Sequence, residues 1–133
     1  MNYVYPAVFY PEGNEVYSVI FPDLNDLGTY GDSLADAFVM AQEACGQYLF
    51  TSLRDGDVLP EPTPIDKVEK DEDNAFINLI CVNLDEYARA YDDKAVKKTL
   101  SIPAWLNTAC ENRGINYSKV LKDALIAKLQ TLS

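Results

Sequence analysis

The sequence predicts an α+β protein in two parts: an N-terminal sheet that carries one long helix, and a C-terminal strand–helix–helix unit. Three observations predict this architecture. Aromatic and β-branched runs separated by turn residues open the chain, an amphipathic helical pattern follows over residues 33–53, and charge and pattern both change after residue 93. With 133 residues, the chain has room for one domain over residues 1–93 and a smaller one over residues 94–133.

The first two apolar runs predict a β-hairpin. Residues 3–10 and 15–21 are rich in tyrosine, valine and phenylalanine, and the Pro-Glu-Gly-Asn segment between them favours a turn. A short third strand is expected near residues 27–30.

Ser33 is expected to cap the long helix. Asp36, three residues later, completes an approximate capping box, and the helix is predicted to end near Leu53. Apolar residues recur at helical spacing and predict the face that packs on the hairpin. These residues are Leu34, Phe38, Ala41, Cys45, Tyr48 and Leu49.

Residues 55–74 are predicted to form a loop, because they contain alternating prolines at positions 60, 62 and 64 and an acidic run at residues 71–73. Residues 75–82 are typical of a buried strand that returns to the first sheet, with Cys81 in its core. One or two helical turns are expected over residues 85–91, and a linker at residues 92–94.

Polar and apolar residues alternate from residue 96, which predicts a strand over residues 96–102 that ends at Pro103. A short helix is expected over residues 104–112, and Gly114 suits the left-handed conformation at its exit. Asn116 is expected to cap a second helix. The apolar stripe of that helix comprises Val120, Leu121, Ala124, Leu125 and Leu129.

This C-terminal part is too small to bury a core by itself, and its single strand has two unpaired edges. We therefore expect a homodimer through residues 96–133, in which the two strands pair and the four helices share one core. Such a ribbon presents Lys97, Thr99 and Ser101 of both chains on one polar face. A two-stranded ribbon fits the major groove of DNA, where these side chains can reach base edges.

The start of the second helix is a candidate phosphate site, because the backbone N–H groups at Asn116, Tyr117 and Ser118 point away from the helix without helical partners. Nearby lysines, including Lys98 and Lys119, add attraction to DNA of any sequence. The sequence leaves one alternative open, in which residues 94–133 only dimerise and the lysines are merely solvated.

Composition removes several classes of function. The chain has no histidine, which excludes histidine-based catalysis and metal sites, and its three cysteines are too widely spaced for a zinc knot or a disulfide scaffold. No metal and no cofactor are expected. No signal peptide and no membrane span are predicted, which favours a cytoplasmic protein without a membrane partner.

The net charge of −10 hides a division along the chain. Residues 1–93 carry 19 acidic and four basic side chains, whereas residues 94–133 carry two acidic and seven basic ones. This asymmetry predicts two partners of opposite electrostatic preference. Chance clustering of solvated charges is the alternative.

The segments at residues 98–103 and 114–118 resemble the ribbon-helix-helix repressors. The resemblance implies that Lys97, Thr99 and Ser101 occupy the three base-reading positions, and that the amides of residues 116–118 bind phosphate. Many members use arginine, asparagine or glutamine where this chain has the smaller Thr99 and Ser101. Direct base reading is therefore expected to be modest, which leaves more of the recognition to DNA shape and to Lys97.

The N-terminal part resembles the HicB-type antitoxins. The resemblance lies in the hairpin, in FPDL at residues 21–24, in GTYGDS at residues 28–33, in Ala37 and in LPEP at residues 59–62. It implies a partial ribonuclease-H-like fold that binds and blocks a HicA-type toxin, a basic ribonuclease that cleaves mRNA. It also implies a C-terminal domain that represses the operon encoding the pair by binding operator DNA.

The expected function is therefore that of a type II antitoxin and autorepressor, and not an enzyme. Asp23, Tyr30 and Asp32 are proposed as toxin contacts from their loop positions. The alternative is a stand-alone ribbon-helix-helix regulator whose N-terminal domain binds a ligand or drives oligomerisation. Both readings require a homodimer, and further assembly into a tetramer stays open.

A ribonuclease-H-like fold raises the question of magnesium-dependent cleavage, which needs clustered carboxylates. Asp23, Asp26, Asp32 and Asp36 are the candidates, but the first strand has no acidic residue to complete the set. Turns and helix caps account for these aspartates without catalysis.

Overall fold

The computed structural model describes residues 1–91 and 93–132, and it divides the chain into two compact units. Unit 1 is Met1–Lys94 and unit 2 is Ala95–Ser133. Among the described residues, unit 1 contains β1 (Asn2–Pro11), β2 (Tyr17–Phe21), β3 (Leu27–Gly31), α1 (Leu34–Arg54), β4 (Phe76–Asn83) and α2 (Leu84–Tyr91). Unit 2 contains α3 (Ala104–Asn112) and α4 (Tyr117–Leu132). No described helix is long and apolar enough to cross a membrane.

The four strands of unit 1 form one antiparallel sheet in the order β3-β2-β1-β4. The predicted hairpin is confirmed, since β1 pairs with β2 in a register that places Phe9 opposite Val19. The predicted third strand and the returning fourth strand are also confirmed. Because β1 and β2 are central, β3 and β4 are the two edges of the sheet.

The N-terminus of α1 is capped by Ser33, as the sequence predicts. Ser33 Oγ accepts a hydrogen bond from the Asp36 amide at 3.0 Å. The Asp36 carboxylate reaches one residue further back than in a standard capping box, because it accepts from the Asp32 amide, also at 3.0 Å. The helix continues to Arg54, close to the predicted end.

The face of α1 that packs on the sheet differs from the predicted one at its start. Leu34 is exposed, and Ala37 takes its place in the core. The reason is the close approach of α1 to β3: a Cβ on Gly31 would lie only 2.2 Å from the Ala37 nitrogen, so only small residues fit where they meet. Cys45 is completely buried as predicted, and this burial raises the pKa of its thiol to about 12.

The prediction that Cys81 lies in the core is wrong. Cys81 is exposed, while its neighbours Ile80 and Val82 are buried. Because β4 is an edge strand packed on α1 through one face only, alternate residues point away from the core. The apolar run over residues 75–82 therefore belongs to a strand that is buried on one side.

The proline-rich loop over residues 55–75 is fastened to the sheet at several points. The Tyr5 hydroxyl donates to the Pro60 carbonyl oxygen at 2.6 Å, and the Tyr10 hydroxyl donates to the Asp71 carboxylate at 2.9 Å. These two bonds hold the loop against the sheet. Within the loop, Lys70 Nζ donates to the Ala75 carbonyl oxygen at 2.8 Å.

In unit 2, α3 and α4 lie where the sequence predicts, and Gly114 between them has a φ of +64°. The predicted strand over residues 96–102 is absent, since residues 93–103 form neither helix nor strand in the single chain. A strand requires a partner for its ladder hydrogen bonds, and the partner predicted here is a second copy of the chain.

Gly31→Ala tests the contact between α1 and β3. The added methyl would meet the Ala37 backbone, so we expect unit 1 to lose about 3 kcal/mol of unfolding free energy in urea denaturation. Gly28→Ala in the same strand is the control, because its Cβ comes closest to the flexible tip of the Ile20 side chain, at 3.1 Å, and meets no backbone atom closer than 3.8 Å. Equal stability of the two variants would contradict this packing.

Candidate functional site

Unit 1 presents an acidic surface. In the described part of the unit, ion pairs join Arg54 to Asp55 and the amino terminus to Asp85, and both are exposed. Most of the other carboxylates therefore face solvent without a cation beside them. Such a surface attracts a basic partner and speeds its encounter.

Asp23 lies immediately after β2 and is committed to the fold. One carboxylate oxygen accepts from the Thr63 amide at 2.8 Å, and the other accepts from Thr63 Oγ1 at 2.6 Å. Both bonds are partly buried, and they fasten the proline-rich loop to the end of β2. The side chain predicted as a toxin contact is thus a loop anchor in the single chain.

Tyr30 and Asp32 lie at the β3 edge of the sheet. The Tyr30 side chain is 62% exposed in the edge strand, and Asp32 is exposed two residues later, just before the cap of α1. An exposed aromatic ring next to a carboxylate is suited to contact a protein partner. Asp32 contributes its amide to the capping bond, which leaves its carboxylate outside that bond.

Two clefts adjoin the same edge. One, of about 520 Å³, lies between β3 and the C-terminal half of α1, and the other, of about 380 Å³, continues towards the proline-rich loop. Tyr48, Ser52 and Asp57 line both. Asp57 and Tyr48 were not among the predicted site residues, although the Asp-Gly-Asp turn at residues 55–57 marked the end of α1 with two carboxylates.

The predicted base-reading residues Lys97, Thr99 and Ser101 are all exposed, together with Lys98. They lie in the segment that forms neither helix nor strand in the single chain. Their shared face therefore stays a prediction that depends on pairing with a second chain.

The start of α4 has the geometry predicted for it. Asn116 Oδ1 accepts from the Lys119 amide at 3.0 Å, which is the bond of an N-cap. The amides of Tyr117 and Ser118 belong to the same first turn, where a helix supplies no backbone acceptor. Lys119 Nζ pairs with Asp123 at 2.9 Å on the exposed surface, so part of its charge is offset within the helix.

The Tyr117 side chain joins α4 to α3. Its hydroxyl donates to Asn107, with the carbonyl oxygen at 3.1 Å and Oδ1 at 2.8 Å. Desolvation, with Cys110 and Glu111 nearby, raises the pKa of the phenol above its usual 10.0, so the hydroxyl stays a donor at neutral pH. This contact was not predicted from the sequence, from which only the Tyr117 amide was assigned a role.

Apolar side chains of unit 2 remain uncovered. None of its described residues is buried, and the predicted stripe of α4 faces solvent, with Val120, Leu125 and Leu129 each more than half exposed. Leu100 in the preceding segment is 64% exposed. Surface of this kind is typical of a chain that is covered by a partner.

The four aspartates considered for magnesium binding have structural roles in the loop, the helix cap and a turn. Asp23 anchors the loop, the Asp36 carboxylate and the Asp32 amide take part in the cap of α1, and Asp26 lies in a turn with a φ of +55°. Within residues 1–91 and 93–132, no three cysteine, aspartate or glutamate side chains are grouped so that they could hold a metal ion.

Comparison with known protein families matches almost the whole chain to one of them. The HicB-like antitoxins of bacterial toxin–antitoxin systems match over residues 5–129. The chain belongs to the HicB-like antitoxin family. This membership confirms the resemblance of the N-terminal part, supports a type II antitoxin role and indicates a regulatory protein rather than an enzyme.

Solved structures agree with this assignment. A chain of a toxin–antitoxin complex from Streptococcus pneumoniae is 30% identical, with a TM-score of 0.61 over 96% of this chain and 99% of that one. The antitoxin HicB of Burkholderia pseudomallei shares the fold at 21% identity, with a TM-score of 0.55 over 96% of this chain and 97% of its own. The antitoxin HicB3 covers 95% of this chain and 97% of its own at 26% identity, with a TM-score of 0.51. No curated protein matches the chain by sequence.

Asp23→Ala tests the anchoring of the loop in this HicB-like chain. Removing two partly buried acceptors leaves Thr63 unsatisfied, so we expect a loss of about 1–3 kcal/mol in urea unfolding. Trypsin should also cleave faster after Lys67 and Lys70, which lie in the loop. Glu61→Ala removes an exposed carboxylate from the same loop and serves as the control. Unchanged cleavage in Asp23→Ala would show that the loop is held by other contacts.

Proposed function

We propose that this HicB-like chain neutralises a HicA-type toxin by binding it through unit 1, and represses its own operon by binding operator DNA through unit 2. The observation that carries the proposal is the alignment with a chain of the Streptococcus pneumoniae toxin–antitoxin complex, because it covers 96% of this chain and so extends into both units. The units then divide two tasks between two surfaces of opposite charge.

Toxin binding is assigned to the β3 edge of unit 1. Tyr30 supplies an exposed ring, Asp32 supplies a carboxylate, and the adjoining clefts add Asp57. Asp23 supports this surface indirectly, by holding the loop beside it. The toxin is inhibited by occlusion of its surface, so no catalytic group and no cofactor are needed in the antitoxin.

DNA binding is assigned to unit 2. A ribbon formed by two chains carries Lys97, Thr99 and Ser101 into the major groove, and the first-turn amides of α4 bind a backbone phosphate. Lys98 and Lys119 add attraction that does not depend on base sequence. The positive charge of residues 94–133 supports this assignment.

The homodimer is assigned to residues 96–133, where the uncovered apolar side chains of two copies can cover one another. Association of dimers into a tetramer would use the N-terminal sheets, whose edge strands β3 and β4 both have an unpaired side.

A stand-alone regulator is the second candidate. The groove beside β3, of about 520 Å³ and open to solvent, is the surface that a ligand would use in this case. In that case unit 1 would bind a ligand instead of a toxin, while unit 2 would keep its role in DNA binding.

Leu125→Glu tests the dimer and its coupling to DNA. A charge placed in the shared core should give a monomer of 14.9 kDa in light scattering, where the unchanged chain gives a dimer or a tetramer. Affinity for the DNA upstream of its own gene should fall by at least about 100-fold, since the ribbon needs both chains. Gln130→Glu adds the same charge on the opposite side of α4 and should retain both properties. An unchanged chain that is monomeric, or a Leu125→Glu variant that still binds DNA fully, would contradict the assignment.

Tyr30→Ala tests the toxin surface. We expect binding to the small basic protein encoded beside this gene to weaken by about 30-fold in calorimetry, because a central aromatic contact is lost. Asp32→Asn should weaken it by about threefold, and less at high salt. Glu86→Gln, which removes one charge beyond the β4 edge, should have no effect. If the unchanged chain does not bind this protein at all, the stand-alone regulator is favoured.

A further inference from the structure

The first residue of α4 makes a contact that its proposed part in phosphate binding does not require. Tyr117 contributes its amide to the first turn, yet its hydroxyl is directed to α3 and shares its hydrogen between two oxygen atoms of Asn107. The ring is 42% exposed, so burial of the ring does not explain the contact. We call this pair of bonds the Tyr117–Asn107 latch.

The acceptor side of the latch is itself oriented. Asn107 Nδ2 donates to Glu111 Oε1 at 3.3 Å, one turn further along α3. With its nitrogen directed to Glu111, the Asn107 amide presents its oxygen to Tyr117. A side chain on α3 is thus arranged to receive the hydroxyl from α4.

Neither α3 nor α4 has a buried residue in the single chain, so few contacts within one chain restrain the two helices, and the latch is one of them. In the proposed dimer the shared apolar core restrains the helices as a whole, while the latch acts on the first turn of α4 itself. The connection of four residues contains Gly114 with a φ of +64°, and the Ile115 amide donates to the Cys110 carbonyl oxygen at 3.1 Å. The conformation of Gly114 and the Ile115–Cys110 bond set the path of the connecting backbone, whereas the latch holds the first turn of α4 directly.

We propose that Tyr117 is a positioning residue for DNA binding: its hydroxyl bond to Asn107 fixes the first turn of α4, so that the amides of Tyr117 and Ser118 are aimed at a phosphate before DNA arrives. This inference rests on the proposed binding of DNA by unit 2. Hydrogen bonds to an anion depend steeply on angle and distance, so a first turn that pivots about Gly114 would bind phosphate poorly. The phenol itself does not contact DNA.

Tyr117→Phe removes the hydroxyl and keeps the ring. We expect the full-length variant to bind the DNA upstream of its gene about tenfold more weakly, because two clamps per dimer lose their alignment. The mass in light scattering should remain that of the unchanged protein. The slope of log affinity against log salt should also remain, since no cation is removed. Tyr91→Phe, which removes a hydroxyl bonded to Glu43 in unit 1, is the matched control and should bind DNA normally.

A double-mutant cycle separates positioning from direct contact. In an Asn107→Ala background the latch has already lost its side-chain acceptor, so Tyr117→Phe should cost only about threefold. If the hydroxyl contacts DNA itself, Tyr117→Phe should cost the full tenfold in either background, which would overturn the proposal. Loss of affinity together with loss of the dimer would also overturn it, because the hydroxyl would then act through stability.

The binding of DNA by unit 2 and the positioning role of Tyr117 can be rejected separately. If the unchanged chain does not bind the upstream DNA, the proposed function of unit 2 is wrong and the positioning role is rejected with it. If the unchanged chain binds and Tyr117→Phe binds equally well, DNA binding stands and only the positioning role is rejected.

Discussion

Burial of apolar surface is the constraint on which both units depend, and only unit 1 meets it within one chain. Phe9, Phe21 and Leu49 are completely buried between α1 and the sheet. In unit 2 the stripe of α4 stays partly in water, so each of its leucines forgoes part of the about 1.5–3 kcal/mol that full burial of the side chain contributes. A unit of this size has little stability to lose, because whole domains are stable by only about 5–15 kcal/mol. The second copy proposed for this unit would cover the stripe and supply the apolar burial that one chain lacks.

The carboxylates of unit 1 serve two purposes, to stabilise the fold and to attract a partner, and their burial distinguishes the two. Asp23 is partly buried and accepts two hydrogen bonds from Thr63, so its side chain stabilises the fold. Asp32 and Asp57 are exposed, and exposed charges contribute little to affinity but increase the rate of encounter. The affinity of unit 1 for a partner then has to come from side chains with area to bury, of which Tyr30 is the clearest at the β3 edge.

Signals that act between residues close in sequence predicted most of the helices and strands. The errors of prediction concern contacts between residues that are distant in sequence. Ser33, Gly114 and Asn116 act within a few residues of themselves, so their roles could be predicted directly. Cys81 was misplaced because periodicity does not show that β4 is an edge strand with one buried face. The exposure of Leu34 follows from the approach of α1 to Gly31, and the Tyr117–Asn107 latch joins residues ten positions apart. Neither is encoded in a local pattern.

The first turn of α4 divides its backbone donors between two uses. The Asn116 side chain accepts from the third amide, at Lys119, and so completes the helix internally. The amides of Tyr117 and Ser118 are left for an external acceptor, with the positive end of the helix dipole behind them. If unit 2 binds DNA as proposed, holding these two amides in place beforehand lowers the entropy that is lost on binding. The Tyr117 hydroxyl is directed to Asn107, so in that proposal it would contribute to affinity by ordering the amides that bind phosphate and not by touching phosphate itself.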